Sequence, residues 1–224
     1  MAYGPQGQIL DATEAQGRNT NSIMAGWVDR GPWQYWDTWQ LAAGTQAASQ
    51  YNMFTIPIGG QNPLAGNASK GKLQTNLQQS SQFQPPRCLL LMQIGLFFGA
   101  QPVVSGGVTT WTPMFLDDIA ALYNGAYFEF KIDDKTFHEG QIWEYPAAVG
   151  LAGTSTQSGQ QNWTNGLPIA PTGRRYGDWS KYIAPLQLFQ FILYFPGTPP
   201  TLDGNGPGAY MPIVLDGLTD RSVQ

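Results

Sequence analysis

The sequence predicts an all-β protein, an antiparallel β-sandwich of jelly-roll type with one short inserted helix and long loops. Three observations predict this fold class. Short segments such as 127–132 and 186–195 carry alternating or continuous apolar and aromatic residues. Long stretches rich in Gly, Pro, Gln, Asn, Ser and Thr separate these segments. The sequence also lacks the repeated crossover helices that a parallel sheet requires, so antiparallel pairing is favoured.

Other segments show the same strand pattern, and six to eight strands are expected. The predicted strands are residues 51–58, 71–77 as a candidate short strand, 87–98, 127–132, 135–143, 186–195 and 209–215. In the first strand Phe54, Ile56 and Ile58 should share one face, because side chains alternate along a strand. Asp133 and Asp134 are typical of the tight turn that joins the fourth and fifth strands.

One helix is predicted over residues 114–123, after Thr112 and Pro113. A hydroxyl residue before a proline is a sound helix start, and the acidic pair 117–118 suits the positive end of the helix. The pair 124–125, Asn followed by Gly, tolerates the left-handed backbone that ends many helices. The helix therefore forms an insertion between two strands of the sandwich.

Glycine residues mark two further connections between the predicted strands. Gly106 and Gly107 predict a hairpin loop. The region 149–182 is polar and rich in Gly, and it could include another short strand or helix. Loops of this length in a compact domain are usually functional or form interfaces.

The chain divides into an N-terminal arm at 1–45, a sandwich at 46–216 and a polar C-terminal tail at 217–224. The arm shows little strand pattern but holds a tryptophan cluster. The cluster consists of Trp27, Trp33, Trp36 and Trp39. A short amphipathic helix and an irregular aromatic plug both remain open for it. Clustered aromatics in a segment of this kind predict docking, either on the chain's own sandwich or on another subunit.

Docking of the tryptophan cluster can be tested by deleting the N-terminal arm. If the four tryptophans anchor an inter-subunit or arm-to-sandwich contact, deleting residues 1–40 should block assembly. The same deletion should leave the β-core folded.

The composition excludes several classes of function. Only 12% of the 224 residues are charged, against about 25% in an ordinary soluble domain. The net charge of −4 and the scattered Lys and Arg argue against direct, specific nucleic-acid binding. The N-terminus lacks the basic and apolar regions of a secretory signal, and the apolar run at 88–100 is too short to span a membrane.

The residues that could carry chemistry are few. His138 is the single histidine and Cys88 the single cysteine, so neither a catalytic Ser–His–Asp set nor a Cys-based metal site is indicated. Cys88 opens an apolar run and is expected to be a buried, inert thiol. Glu139 and Glu144 could be a glycosidase pair with Trp143 as a sugar platform, but they have opposite strand parity and should face opposite sides.

The acidic doublets 117–118 and 133–134 are attributed to the helix start and to the turn. A calcium site at the second doublet lacks the usual spacing of ligands. Asn67 and Asn162 begin glycosylation sequons that are attributed to chance. No catalytic residue, cofactor or metal is predicted, and the chain is not expected to be an enzyme.

The layout resembles the single jelly-roll major capsid proteins of tailless icosahedral bacteriophages and their membrane-containing relatives. An N-terminal arm precedes strand 51–58, and the aromatic strand pair at 127–143 follows a short helix. The last two strands at 186–195 and 209–215 complete the pattern, which spans roughly residues 50–216. Charge-poor composition with large loops is also similar to that of such coat proteins.

The resemblance implies a self-assembling subunit of an icosahedral shell, located in the virion and assembled in the host cytoplasm. The strands would stand upright, and the arm and loops would make the contacts between subunits. The partners would be copies of this chain and other virion proteins. The lack of a basic arm favours a shell that lies on the outside of a lipid membrane, or a shell whose DNA interior is handled by other proteins.

Two alternatives come from other classes of protein. The first is a carbohydrate- or receptor-binding β-sandwich, such as a fibre, spike or lectin-like module, with aromatic residues on an exposed face or loop. The second is a sandwich-type hydrolase. The single histidine and the lack of a paired-acid motif speak against the hydrolase.

Overall fold

The computed structural model describes most of the chain from Val28 onward and two short strands before it. The described residues are 2–3, 9–10, 28–46, 48–62, 68–85, 87–105, 108–145, 152–155, 161–164, 175–204 and 208–222. Within these ranges, no helix is long and apolar enough to cross a membrane.

The described residues form mainly β-strands. The strands are β1 Ala2–Tyr3, β2 Ile9–Leu10, β3 Val28–Leu41, β4 Gly44–Thr45, β5 Gln50–Met53, β6 Gln61–Asn62, β7 Ala68–Ser69, β8 Leu89–Leu96, β9 Ala100–Ser105, β10 Val108–Pro113, β11 Tyr127–Ile132, β12 Lys135–Gln141, β13 Ala152–Ser155, β14 Gln161–Thr164, β15 Arg175–Ile183, β16 Phe189–Tyr194, β17 Thr201–Leu202 and β18 Ala209–Ser222. One α-helix in the described part, α1, spans Leu116–Gly125, and a 3₁₀ helix spans Ile142–Glu144.

Two four-stranded antiparallel sheets form the body of the protein. The first has the order β15-β8-β18-β3, and the second has the order β12-β11-β16-β5. The remaining strands pair in short two-stranded ribbons, of which β9 and β10 form the predicted hairpin. The tip of that hairpin, Gly106 and Gly107, lies outside the described residues. The predicted all-β antiparallel sandwich with one short helix is confirmed.

The strand pairing is nested along the chain. Eight strands make up the two sheets, in the chain order β3, β5, β8, β11, β12, β15, β16 and β18. The first pairs with the last, the second with the seventh, the third with the sixth, and the fourth with the fifth. One long antiparallel ribbon is therefore folded over so that its two halves contribute to both sheets.

The two sheets share one aromatic core. Tyr35 of β3 lies 4.3 Å from Phe83, and Phe83 stacks at 4.8 Å on Phe189 of β16, measured between ring centroids. Trp39 packs edge-on against Tyr51 of β5 at 5.2 Å. Each such pair contributes about 0.5–1.5 kcal/mol beyond the burial of its area. These contacts cross from one sheet to the other and hold the sandwich closed.

The edges of the two sheets meet in pairs and give the sandwich two flanks. On one flank β3 lies beside β5, and the backbone N–H of Phe54 donates to the Asp37 carboxylate across it. On the other flank β15 lies beside β12, with the Lys181 ammonium 5.1 Å from the centre of the Phe137 ring. We call them the β3–β5 flank and the β12–β15 flank.

The predictions for residues 51–58 and 71–77 were wrong. The first strand ends at Met53, because the next residue, Phe54, has a φ of 60° that breaks the extended backbone. Phe54 is buried, whereas Ile58 is 38% exposed, so these side chains do not share one face. Residues 71–77 contain turns and a single bridge between Thr75 and Asp37.

The division into arm, sandwich and tail also needs correction. Residues 28–41 of the predicted arm are strand β3, and residues 217–222 of the predicted tail belong to β18. The two segments pair with each other in register from Val28 opposite Ser222 to Leu41 opposite Ala209. Backbone hydrogen bonds stabilise this ladder whatever the side chains are. The two segments are polar or rich in Trp and lack the apolar alternation typical of a strand, so the sequence did not predict their pairing.

The helix begins later than predicted. Pro113 is the last residue of β10, and α1 starts at Leu116 with Phe115 as an extended N-cap that makes no side-chain capping bond. The C-terminal end at Gly125 agrees with the predicted stop. The region 149–182 contains β13, β14 and most of β15, while its other residues lie outside the described part.

Candidate subunit interface

The four tryptophans proposed as contact residues have different positions. Trp27 lies outside the described residues. Trp39 is buried between Tyr51 and Phe195, so its contacts are with the chain's own sandwich. Trp36, on the opposite face of β3, is partly exposed, and Trp33 is 37% exposed. Only Trp33 and Trp36, among the three described, can reach another molecule.

The outer edge of β3 is closed by the connection between β5 and β8. Asn76 acts there in place of a neighbouring strand. Its side-chain oxygen accepts from the backbone N–H of Trp36 at 2.9 Å, and its side-chain nitrogen donates to the carbonyl of Gln34 at 2.8 Å. The Asn76 backbone N–H also donates to the Trp36 carbonyl. Free edge strands promote uncontrolled pairing between chains, and this side chain occupies two backbone groups in the middle of the β3 edge.

The same connection is held by a buried ion pair. The Lys70 ammonium lies 2.6 Å from the Asp37 carboxylate and donates to the Thr38 carbonyl at 3.0 Å. Burial raises the pKa of the Asp37 carboxyl, and the ammonium of Lys70 opposes that rise. The other carboxylate oxygen accepts from Phe54, so both oxygens are satisfied. In the sequence Lys70 is one of the scattered basic residues, and this contact was not predicted.

A short turn at Gly71–Gln74 projects from the β3–β5 flank, and we call it the 71–74 turn. Its backbone closes through a 3.0 Å bond from Gln74 to Gly71. The Trp36 indole N–H donates to the carbonyl of Lys72 at 3.1 Å and ties the turn to β3. Lys72 is exposed, and Leu73 is 71% exposed. Most of the Leu73 side chain is therefore presented to solvent on an anchored loop.

The candidates for chemistry lie apart from this flank. His138 is buried in β12 and hydrogen-bonds through Nδ1 to the hydroxyl of Tyr145. Cys88 is buried and not in a disulfide. Both side chains are therefore largely enclosed by the fold.

The parity argument about Glu139 and Glu144 was wrong. β12 ends at Gln141 and the 3₁₀ helix follows, so alternation stops between the two residues and they line one depression. Its volume is about 490 Å³. The other lining residues are Asn124, Gly125, Ala126, Tyr127, Gly140, Gln141 and Pro196. The side chain of Trp143 lies outside the described part.

The depression is an acidic concavity at one end of the second sheet, where β11 begins and where β12 and β16 end. The C-terminal end of α1, at Asn124 and Gly125, points its partial negative charge into the same region. Its lining residues include two Glu and no Lys or Arg. A group that carries positive charge is thus the favoured occupant.

The acidic doublets have structural contacts. Asp118 is buried, and one of its oxygens accepts from the backbone N–H of Asp203 at 2.9 Å. Asp133 occupies the predicted turn with a φ of 53° and accepts from Gln187 at 2.7 Å. Among the described residues, no group of three or more His, Cys, Asp or Glu is placed to hold a metal ion. Of the two sequons, Asn67 lies outside the described part and Asn162 lies in β14.

Comparisons with known proteins gave no match. This holds for protein-family models, for curated protein sequences and for solved structures.

Proposed function

We propose that this chain is a structural subunit of a virion, a jelly-roll protein that assembles with copies of itself into an icosahedral shell. The proposal places the protein in the virion, after assembly in the cytoplasm of the host. Its partners are other copies of the chain and other virion proteins, with a lipid membrane beneath the shell as a further candidate. It assigns no catalytic residue, no cofactor and no direct, specific contact with nucleic acid.

The nested strand order is the observation that carries this proposal. Pairing of the first strand with the last, and so on inward, is what a jelly roll requires, because a jelly roll is one folded ribbon of four strand pairs. Jelly rolls occur in viral coats, in lectin-like domains and in cupins. Fold alone does not decide among these classes, so the remaining support comes from composition and surface.

The composition favours a coat protein over the other jelly-roll classes. A metal-binding cupin needs several imidazoles, and this chain has one His, whose Nδ1 is bound to Tyr145. Interfaces are enriched in aromatic residues and Met and depleted in Lys and Glu. With 13% aromatic and 12% charged residues, the chain has the balance of a protein that makes many contacts with neighbours.

The first test is the mass and shape of the purified chain. Light scattering combined with negative-stain electron microscopy should detect closed shells, sheets or rings of the size of a capsomer. A stable monomer, or a lone trimer at every concentration tested, would count against the proposal.

The deletion that tests the N-terminal arm must end before β3 begins. Deleting residues 1–40 removes nearly all of β3 and with it Tyr35 and Trp39 from the core, so the remaining chain should unfold. A deletion of residues 2–27 leaves β3 intact and tests only the part of the predicted arm that precedes β3. Loss of shells by that variant, with its thermal unfolding preserved, would assign assembly to the arm.

One observation favours a second candidate, a carbohydrate-binding module. The depression beside Tyr127 combines an aromatic ring with carboxylate and amide groups, which are the groups that bind the faces and hydroxyls of sugars. The Tyr127 ring also stacks on Tyr194 at 5.1 Å, so it is held in place. A glycan array probed with the chain and with Gln141→Ala tests this candidate. Binding by a monomer that Gln141→Ala abolishes would favour it over the shell subunit.

A further inference from the structure

Two surface features of the sandwich are complementary in shape and charge. The β3–β5 flank carries a convex feature, the 71–74 turn, with the exposed ammonium of Lys72 and the exposed side chain of Leu73. The end of the second sheet where β11 begins and β12 ends carries a concave feature, the depression lined by Glu139 and Glu144. One feature is basic and apolar, and the other is acidic with an aromatic and a proline side chain in its wall.

The 71–74 turn is built to be presented rigidly. The indole N–H of Trp36 fixes the carbonyl of Lys72, and the Asn76 side chain fixes the next part of the connection to β3. The buried pair of Lys70 with Asp37 holds the other side of the turn. A pre-organised loop loses little conformational freedom on binding, which favours its use as a contact element.

The carboxylates of the depression are also held by the fold. The backbone N–H of Gln141 donates to Glu144, and this bond orients one carboxylate at the end of β12. Gly140 makes room for it, because a Cβ atom at that position would lie 2.9 Å from the Glu144 carboxyl carbon. Glu139 is exposed beside it.

We propose that the 71–74 turn of one copy of this chain inserts into the acidic depression of the next copy. The Lys72 ammonium then pairs with Glu139 and Glu144, and Leu73 packs against Tyr127 and Pro196. The occupant is a second copy because the same chain carries both the basic, apolar turn, on the β3–β5 flank, and the acidic depression that complements its charge, at one end of the second sheet. This inference rests on the proposed function, for which it names a contact between subunits.

Such a contact is heterologous, because each copy uses a different surface on its two sides. Contacts of this type run head to tail and close into rings when the rotation between copies allows it. Rings that form in this way are suitable building units for a shell.

A charge-swap experiment tests the contact directly. Lys72→Glu and Glu139→Lys should each raise the dissociation constant of self-association about tenfold or more, as measured by sedimentation velocity. Each change places two side chains of like charge in the contact. The double variant Lys72→Glu/Glu139→Lys restores opposite charges in the same chain and should recover most of the association. Leu73→Ser should also weaken it.

Matched controls separate the contact from general effects of charge and apolarity. Lys135→Glu makes the same change of charge on an exposed Lys at the far end of β12 from the depression. Leu186→Ser removes a 54% exposed Leu in another turn. Both should associate like the original chain, and thermal unfolding should show that every variant is folded.

The outcomes distinguish this contact from the proposed function. Normal shells from Lys72→Glu and Leu73→Ser would overturn the contact and leave the shell subunit standing. Short rings or chains without closed shells, abolished by the same variants and restored by the double variant, would support the contact and count against the shell. A chain that stays monomeric at all concentrations would overturn both. Failure of the double variant to recover association would overturn the contact alone.

Discussion

The ammonium of Lys70 lies 2.6 Å from the carboxylate of Asp37, with 5% and 2% of the two side chains exposed. The pair joins the central part of β3 to a connection more than thirty residues away in the chain. Burying two charges costs free energy that their attraction offsets only when the remaining polar atoms are satisfied. Here Thr38 and Phe54 supply those additional hydrogen bonds.

Removing one partner of this pair should be strongly destabilising. Lys70→Met leaves the Asp37 charge buried and unpaired, and we expect the free energy of unfolding to fall by about 3–5 kcal/mol. Denaturant unfolding measures the change. The double variant Asp37→Asn/Lys70→Met removes both charges and keeps an acceptor for the Phe54 N–H, so it should recover a large part of the loss. Equal loss in both variants would contradict this account.

The pair shows why β3 was missed in the sequence. An Asp in the middle of a strand is normally a sign against a buried strand, and the residue that compensates for Asp37 lies far along the chain. Strand β11 was recognised because Phe128, Phe130 and Ile132 alternate with half-buried neighbours, a signal that is complete within six residues. Local alternation is visible in one segment, whereas long-range pairing becomes visible only in the fold.

The candidate interface was predictable in part. Exposed aromatic residues near the chain start indicated a contact surface, and Trp33 and Trp36 are at least partly exposed. The 71–74 turn was not recognised, because a lone Lys–Leu pair in a polar stretch has no pattern. The depression was missed because strand parity assumes a regular strand, and the 3₁₀ helix that ends at Glu144 breaks that regularity.

The Asn76 side chain should be needed to keep the edge of β3 satisfied. Asn76→Ala removes two side-chain hydrogen bonds to the β3 backbone, and we expect a loss of about 1–3 kcal/mol in the free energy of unfolding. The bare edge should also increase irregular aggregation, measured by light scattering. Asn52→Ala is the matched control, since that exposed amide accepts only from the Gln50 side chain among the bonds described. Similar behaviour of the two variants would argue against edge protection.

Gly208 should not tolerate a side chain. Its φ is 79°, and a Cβ atom there would lie 2.1 Å from the carbonyl oxygen of Leu41. Gly208→Ala should therefore cost about 3 kcal/mol or more, because both the backbone conformation and the close approach oppose it. Gly204→Ala in the same connection meets nothing within 4 Å and should change stability by less than about 0.5 kcal/mol. Thermal unfolding of both variants decides the point.

Asp118 and Asp37 are the two described carboxyls whose pKa burial raises, and Asp118, which has no ion-pair partner among the described residues, offers the simpler test of pH dependence. Desolvation raises its pKa, and the nearby acidic residues Asp203 and Asp117 add to the rise, while the hydrogen bond from the Asp203 backbone opposes it. Its second carboxyl oxygen has no hydrogen-bond partner among the described residues. The folded state therefore holds the Asp118 proton more tightly than the unfolded state does.

The sign of the pH dependence follows from that raised pKa. The stabilising contribution is fully present below the unfolded pKa of about 3.9 and is lost as the pH rises through the folded pKa. The isosteric variant Asp118→Asn has no charge to bury, so its unfolding temperature should fall less than that of the original chain between about pH 4 and pH 7. The exposed Asp134→Asn serves as control and should keep the original slope. An Asp118→Asn variant with the same slope as the original chain would show that another group is responsible.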